Sequence, residues 1–258
     1  MKLNKQSGFA LVGIAIVLVV IGLLLGGILK GQQLINSARV RNLADQNSSV
    51  QAAYYGFIDR FRNLPGDMTC VAAVANVGSN VSPDNCTTVI GGDANGRIDV
   101  GAEIGAVWAH LSAADFLNGF YDGLDAAEAA LTIATYNTGV PAGGIPPNAF
   151  QGPIMVAHSE DYVTDNARDT VERLIYSFGG NIPVPILRDL DQKLDDGVAG
   201  RGVVRSAAGT TDGTPGTYGG ITDYDATGED CLTAGVGRAP STWNVDSSNQ
   251  TCNALYLY

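Results

Sequence analysis

The sequence predicts an α+β protein in which one long N-terminal helix precedes a loop-rich head with short strands. Two observations predict this class. No proline interrupts the chain from Phe9 to Leu64, and Pro65 with Gly66 then ends the helical pattern. Beyond that point, short runs of apolar, β-branched and aromatic residues alternate with turn-rich loops, a spacing typical of antiparallel strands and not of βαβ units.

The first part of the predicted helix, Phe9 to Leu29, contains no charged residue. As a helix it would be roughly 32 Å long, enough to cross a hydrocarbon core of about 30 Å. Lys2 and Lys5 are the charged residues that precede it, so this leader is expected to stay in the cytoplasm. The run is too long for the apolar region of a secretory signal, and no Ala-x-Ala cleavage site follows it.

The second part of the helix, residues 30–64, is polar with one apolar face. That face recurs at helical spacing and must pack on another element. Its members are Val50, Ala53, Tyr54, Phe57, Ile58 and Phe61.

The head is expected to combine two short helices with an antiparallel meander. Residues 103–118 carry apolar side chains on one side, and a second helix follows Pro185. The predicted strands are Ala130–Tyr136, Ile154–Ala157, Leu174–Phe178, Gly202–Arg205 and the terminal segment Cys252–Tyr258.

The junction Lys5-Gln6-Ser7-Gly8-Phe9, placed at the start of an apolar span, resembles a class III signal. The N-terminus is therefore similar to that of the type IV pilin and type II secretion pseudopilin superfamily. Three further segments resemble a pseudopilin-like group: NLPGD at the end of the helix, GDANGRI followed by WAHL, and LDQKLDDG. A plain membrane anchor is the competing interpretation of the same span.

The resemblance implies a type IV pilin-like fold, in which the amphipathic half of the helix packs on a small antiparallel sheet. It divides the chain into a leader (1–8), a membrane-spanning and filament-core helix (9–29), an amphipathic continuation (30–64) and a head (65–258). It also implies cleavage by a prepilin peptidase between Gly8 and Phe9 and methylation of Phe9. The implied partners are other pilin or pseudopilin subunits, bound through the helix, and an inner-membrane assembly platform.

Gly13 departs from the family pattern, because most members carry a glutamate at this fifth position of the mature chain. Its absence removes both the cost of a carboxylate in lipid and a device that sets register during assembly. The resemblance therefore favours a minor or tip subunit, although apolar packing could suffice for a filament of this chain alone. Gly22 and Gly26 are four residues apart on one helix face, which allows close helix approach, or they reflect the general glycine content of membrane helices.

Composition restricts the function classes. The net charge is −11, which argues against non-specific nucleic-acid binding, since that requires a basic surface. The even number of cysteines beyond the span suggests two disulfides in an oxidising compartment, with zinc as the rival interpretation. Three connectivities are open, and the sequence-local pairs Cys70–Cys86 and Cys231–Cys252 are favoured.

Two acidic segments could bind calcium. In the first, Asp93, Asn95 and Asp99 alternate around Gly96, as in a calcium loop, but Arg97 stands where an acid is usual and no glutamate closes the loop. A solvated Asp-Asn-Gly turn explains the same residues without a metal. The second segment contains four acids, for which a solvated acidic turn is also the simpler explanation: Asp189, Asp191, Asp195 and Asp196.

No motif for an enzyme is found. His110 and His158 have no neighbouring nucleophile motif, so packing or hydrogen bonding explains them better than catalysis. The sequence thus predicts a structural filament subunit of a type IV pilus-like or type II secretion assembly. It would reside in the bacterial inner membrane before assembly and in a periplasmic or cell-surface filament afterwards. The alternatives are a membrane-anchored extracytoplasmic adhesin or binding domain and, less favoured, an anchored hydrolase.

Overall fold

The computed structural model describes residues 7–82, 86, 91–99, 101–124, 143–160, 162–164, 171–207, 231–233, 235, 239–247 and 252–258. Over these residues the predicted α+β architecture is confirmed: a long N-terminal helix and a four-stranded antiparallel sheet. The chain divides into two compact units, residues 1–41 and 42–258. The second unit is called the head below. The predicted strand Ala130–Tyr136 lies outside the described residues.

Helix α1 runs from Ser7–Phe61 without a break. It ends three residues before the predicted limit, because Arg62 adopts a left-handed conformation with φ of 57°. Within the head, one face of α1 is buried, and it includes four of the six residues that the helical spacing predicts: Val50, Ala53, Tyr54 and Phe57. This face contributes to the core of the head, as the amphipathic pattern indicates.

Three further α-helices lie among the described residues of the head. Helix α2, Cys70–Asn76, was too short to predict, and its first turn is capped by the Thr69 hydroxyl, which accepts a hydrogen bond from the Ala72 N–H. A single 3₁₀ turn follows at Ser79–Val81. Helix α3, Gly101–Ala113, and helix α4, Val184–Leu194, correspond to the two predicted helices. Pro183 precedes α4 and Pro185 lies in its first turn, where a proline is tolerated.

The main sheet contains β1 (Met155–Ser159), β2 (Arg173–Ser177), β3 (Val204–Ser206) and β6 (Ala254–Leu257) in the order β1-β2-β6-β3. The expected meander is therefore only partly correct, since the terminal strand lies between β2 and β3. Register follows the pairs Val156 with Tyr176 and Tyr176 with Tyr256. Two short strands, β4 (Leu232–Thr233) and β5 (Thr242–Trp243), form a separate pair.

Side-chain hydrogen bonds attach α1 to the rest of the head. The Tyr258 hydroxyl, directly after β6, donates to Asn47 Oδ1 at 2.8 Å, and Gln46 Nε2 donates to the Pro147 carbonyl at 2.9 Å. Phe57 stacks on the ring of His110 in α3, with 6.0 Å between centroids. The amphipathic part of α1 is thus a structural element of the head.

Candidate functional site

The apolar first part of α1 is the most exposed hydrophobic surface in the described chain. Its large side chains from Val12 to Leu29 are 46–74% exposed. By length and composition α1 could span a membrane, and none of its most apolar window is buried. A soluble core helix would bury such residues, so this exposed surface is consistent with a single-pass membrane anchor.

The glycines of this segment have no packing role within one copy. A Cβ atom built at Gly13, Gly22 or Gly26 would meet nothing within 4 Å. At Gly56, in contrast, a Cβ would lie 2.8 Å from the ring of Phe116. Within a single chain, a side chain at position 56 would therefore have to displace the Phe116 ring, whereas nothing in the single chain accounts for the glycines of the apolar segment. Gly8 and Phe9, the predicted processing site, lie in the first turns of α1.

The predicted calcium turn is held by two carboxylates outside it: Glu103, which is the glutamate nearest to the closing position of the loop, and Asp67, which the sequence pattern does not indicate. Asp67 accepts hydrogen bonds from the N–H groups of Asn95, at 2.9 Å to Oδ1, and Gly96, at 3.0 Å to Oδ2. Glu103, fully buried at the start of α3, accepts from the N–H groups of Asp93 and Asp99. These bonds fold residues 93–99 around two acidic side chains.

The structure groups Asp93 with Asp67 and Glu103, whose carboxylate oxygens lie within 4.8 Å of one another. Asn95 and Asp99 are used within the turn, because Asn95 Oδ1 accepts from the Arg97 N–H and its Nδ2 donates to Asp99. Oxygen donors suit calcium, but each oxygen of Asp67 and Glu103 already accepts a backbone N–H. The arrangement is therefore explained without a cation, and calcium binding stays a prediction.

At the end of α4, a second group of acidic side chains also accepts hydrogen bonds from N–H groups of other segments. Asp191 is fully buried and accepts from Trp243 Nε1 at 2.8 Å and from the Gly197 N–H at 3.2 Å. Burial raises the pKa of Asp191 to about 6, against the lowering effect of those two hydrogen bonds. Asp195 accepts from the Val203 N–H, and Asp196 pairs with Arg201 at 2.7 Å. The group connects α4 to β3 and β5.

Both histidines accept hydrogen bonds from backbone N–H groups. His110 is fully buried, and its Nδ1 accepts from Gly66 at 3.0 Å. The proton of the neutral ring is therefore on Nε2. Burial lowers the pKa of His110 to about 4. His158, in β1, accepts from Ile98 at 2.9 Å, and burial is the main cause that lowers its pKa. Each ring fixes a backbone segment, as the packing and hydrogen-bonding interpretation predicts.

The disulfides expected from the cysteine count are present. Cys70 is bonded to Cys86, and Cys231 to Cys252, with Cα atoms 5.8 and 5.7 Å apart. These are the sequence-local pairs. The first joins α2 to the segment after the 3₁₀ turn, and the second attaches the residue two before β6 to the start of β4.

The head also contains a small surface pocket of about 160 Å³. Gln46 and Val50 of α1 face Leu117, Tyr121 and Ile154 across it. Sites for drug-sized ligands are usually about 300–1,000 Å³, so this pocket is smaller than the usual range.

Comparison with known proteins gives no match to a protein-family profile, to a curated protein or to a solved structure. The long apolar N-terminal helix and the small antiparallel sheet are nevertheless compatible with a pilin-like fold.

Proposed function

We propose that this chain is a structural subunit, a pilin or pseudopilin, of a type IV pilus-like or type II secretion filament. The observation that carries the proposal is α1, one continuous helix whose first part exposes apolar side chains and whose last part belongs to the head. The exposed part can lie in lipid before assembly and against neighbouring helices afterwards. Its glycines, which the single chain does not require, would allow those helices to approach closely.

The head supports the same proposal. Two disulfides suit an extracytoplasmic compartment, where the head of an N-in, single-pass protein would be folded. The buried acids and histidines of the head are hydrogen-bonded to backbone groups, which is a structural use of these residue types. The partners are a prepilin peptidase, an inner-membrane assembly platform and other subunits.

The test is the intact mass and N-terminal sequence of the protein recovered from membranes. Cleavage by a prepilin peptidase gives a mature chain that begins at Phe9 and carries one added methyl group. Gly8→Val should block cleavage, whereas Gly13→Ala, a comparable change within the same helix, should leave cleavage intact. A wild-type chain that starts at Met1, or that is cut after Lys30, would contradict the proposal and favour an anchored or secreted binding domain.

A further inference from the structure

We infer that Lys30, Arg39 and Arg41, here called the basic collar, bind the acidic head of a second copy of this chain. The inference rests on the proposed function and names the neighbour that α1 meets in the filament.

The charges of the chain are segregated. All 26 acidic residues lie in residues 42–258 with ten of the 15 basic ones, which gives this unit a net charge of −16. Residues 1–41 carry the other five basic residues and no acidic one. The charge boundary coincides with the boundary between the two compact units. Each copy therefore offers both a basic and an acidic surface, and each can complement the opposite surface on a neighbour.

The collar is accessible and surrounds the helix. Lys30, Arg39 and Arg41 are all exposed. Within the described part of the chain, no carboxylate lies within ion-pair distance of Lys30 or Arg41. Lys30 and Arg41 are about three turns apart and share a face, whereas Arg39 and Arg41 point to nearly opposite sides. Charges on both sides suit a helix that has neighbours all around it.

The position of the arginines favours a protein partner over lipid. Lys30 directly follows the apolar segment and can reach lipid headgroups. Arg39 and Arg41 lie about 14–17 Å further along the helix, whereas the headgroup layer is only about 5–8 Å thick. A helix along the membrane normal therefore places both arginines beyond the lipid, where protein partners are available.

The collar also supplies charged groups, which the membrane-spanning segment lacks. Apolar helices in lipid have no charged contacts that fix how far one slides along another. With Gly13 in place of an acid, the span of this chain contains no such group. Ion pairs between the collar and a neighbouring head can set this register outside the membrane. Because one chain carries both halves of the contact, the inference favours repeated copies in the filament body over a single copy at its tip.

Cross-linking without a spacer tests the contact directly. After the leader, Lys30 and Lys193 are the two lysines of the chain, so a carbodiimide that couples amines to carboxylates has few amines to use. Filaments are prepared from cells that express isotopically light and heavy copies of the full chain. Wild-type Lys30, and position 41 in Arg41→Lys, should give mixed light–heavy links to Asp or Glu of residues 42–258.

Charge reversal tests whether filament assembly depends on the collar. Lys30→Glu with Arg41→Glu should lower filament yield by about tenfold or more, whereas Lys193→Glu, a single charge reversal on the exposed side of α4, should leave it near wild type. Fewer positive charges on the translocated side do not oppose insertion. Protease resistance and disulfide formation in the head should be unchanged in both variants.

Normal filament yield for the collar variant would overturn the inference while the proposed function stands. Links exclusively to lipid or to a different protein would overturn it as well. A wild-type chain that is never processed or assembled would instead refute the proposed function.

Discussion

Trp243 and Asp191 illustrate how a buried charge is kept in this head. Trp243→Phe removes the indole N–H that donates to Asp191 Oδ2. We expect a loss of about 1–3 kcal/mol in the free energy of unfolding at pH 7, because a buried carboxylate loses one of its donors. The loss should be smaller below pH 6, since Asp191 is then protonated more readily. Urea denaturation of the full chain in detergent at pH 7 and pH 5 measures both values.

Trp108 supplies the matched control. It is fully buried in α3, and its indole nitrogen has no hydrogen-bond partner in the described part of the chain. Trp108→Phe should therefore cost packing energy alone and show no difference between the two pH values. Equal pH dependence in the two variants would show that the Trp243 bond does not stabilise the charge of Asp191.

Because the pKa of His110 is lowered, we expect acid to reduce the free energy of unfolding of the head. Its pKa is about 4 in the folded chain, below the unfolded value near 6.5, so the unfolded chain binds the proton more readily. Stability is therefore lost as the pH falls from about 6.5 toward 4, by roughly 2 kcal/mol at pH 5. The variant His110→Asn keeps an acceptor near the Gly66 N–H but removes the titrating ring. Denaturation of wild type and His110→Asn at several pH values should therefore show a steeper loss of unfolding free energy with falling pH in wild type.

The comparison must be made as a difference between the two proteins. Asp191 changes stability in the opposite direction, because its raised pKa lets the folded chain bind a proton between about pH 6 and 4. Its contribution is present in both proteins and cancels in the difference. Parallel curves would mean that the buried ring of His110 does not titrate with a lowered pKa.

At the scale of elements, the turn at residues 93–99 depends on acids outside it. Asp67→Asn removes an acceptor for one of two backbone N–H groups and should cost about 1–3 kcal/mol. Asp93→Asn should cost less, since Asp93 accepts one hydrogen bond in an exposed position. Thermal unfolding of both variants in calcium and in chelator measures the effect.

The same experiment decides the calcium prediction. Because the backbone N–H groups that Asp67 and Glu103 accept hold the turn without a cation, we expect the unfolding temperature of wild type to be the same in calcium and in chelator. A ligand present at 100 times its dissociation constant would stabilise the head by about 2.7 kcal/mol. A calcium-dependent rise that Asp93→Asn abolishes would therefore establish a metal site.

For the whole molecule, the two disulfides should contribute unequally. Each closes a loop of about 16 or 21 residues, worth roughly 3 kcal/mol by loop entropy. The Cys231–Cys252 bond also holds the residues that directly precede β6, which is an interior strand of the sheet. Replacing Cys231 and Cys252 with serine should lower stability more than the same change at Cys70 and Cys86, as measured by urea denaturation. Equal losses would indicate that loop entropy is the whole effect.

Local patterns predicted much of this fold, and contacts between distant residues account for the rest. The uncharged run and the spacing of Val50, Tyr54 and Phe57 are properties of one helix, so α1 could be predicted from local sequence. The position of β6 between β2 and β3 could not be predicted in this way, because strand order depends on pairings between segments far apart in sequence. The role of Asp67 is not predictable from local sequence for the same reason, since it lies 28 residues before Asn95, whose N–H donates to its carboxylate.

The interior position of β6 has a consequence for biogenesis. Strands β2 and β3 each pair with β6 and are joined through it, so the sheet cannot be completed before Leu257 has been synthesised. Under the proposed function, the head would therefore cross the membrane with its sheet still open and would close it in the compartment where the disulfides form. A chain that ends before β6 would lack the strand that joins β2 to β3, which would leave an incomplete sheet open to proteolysis.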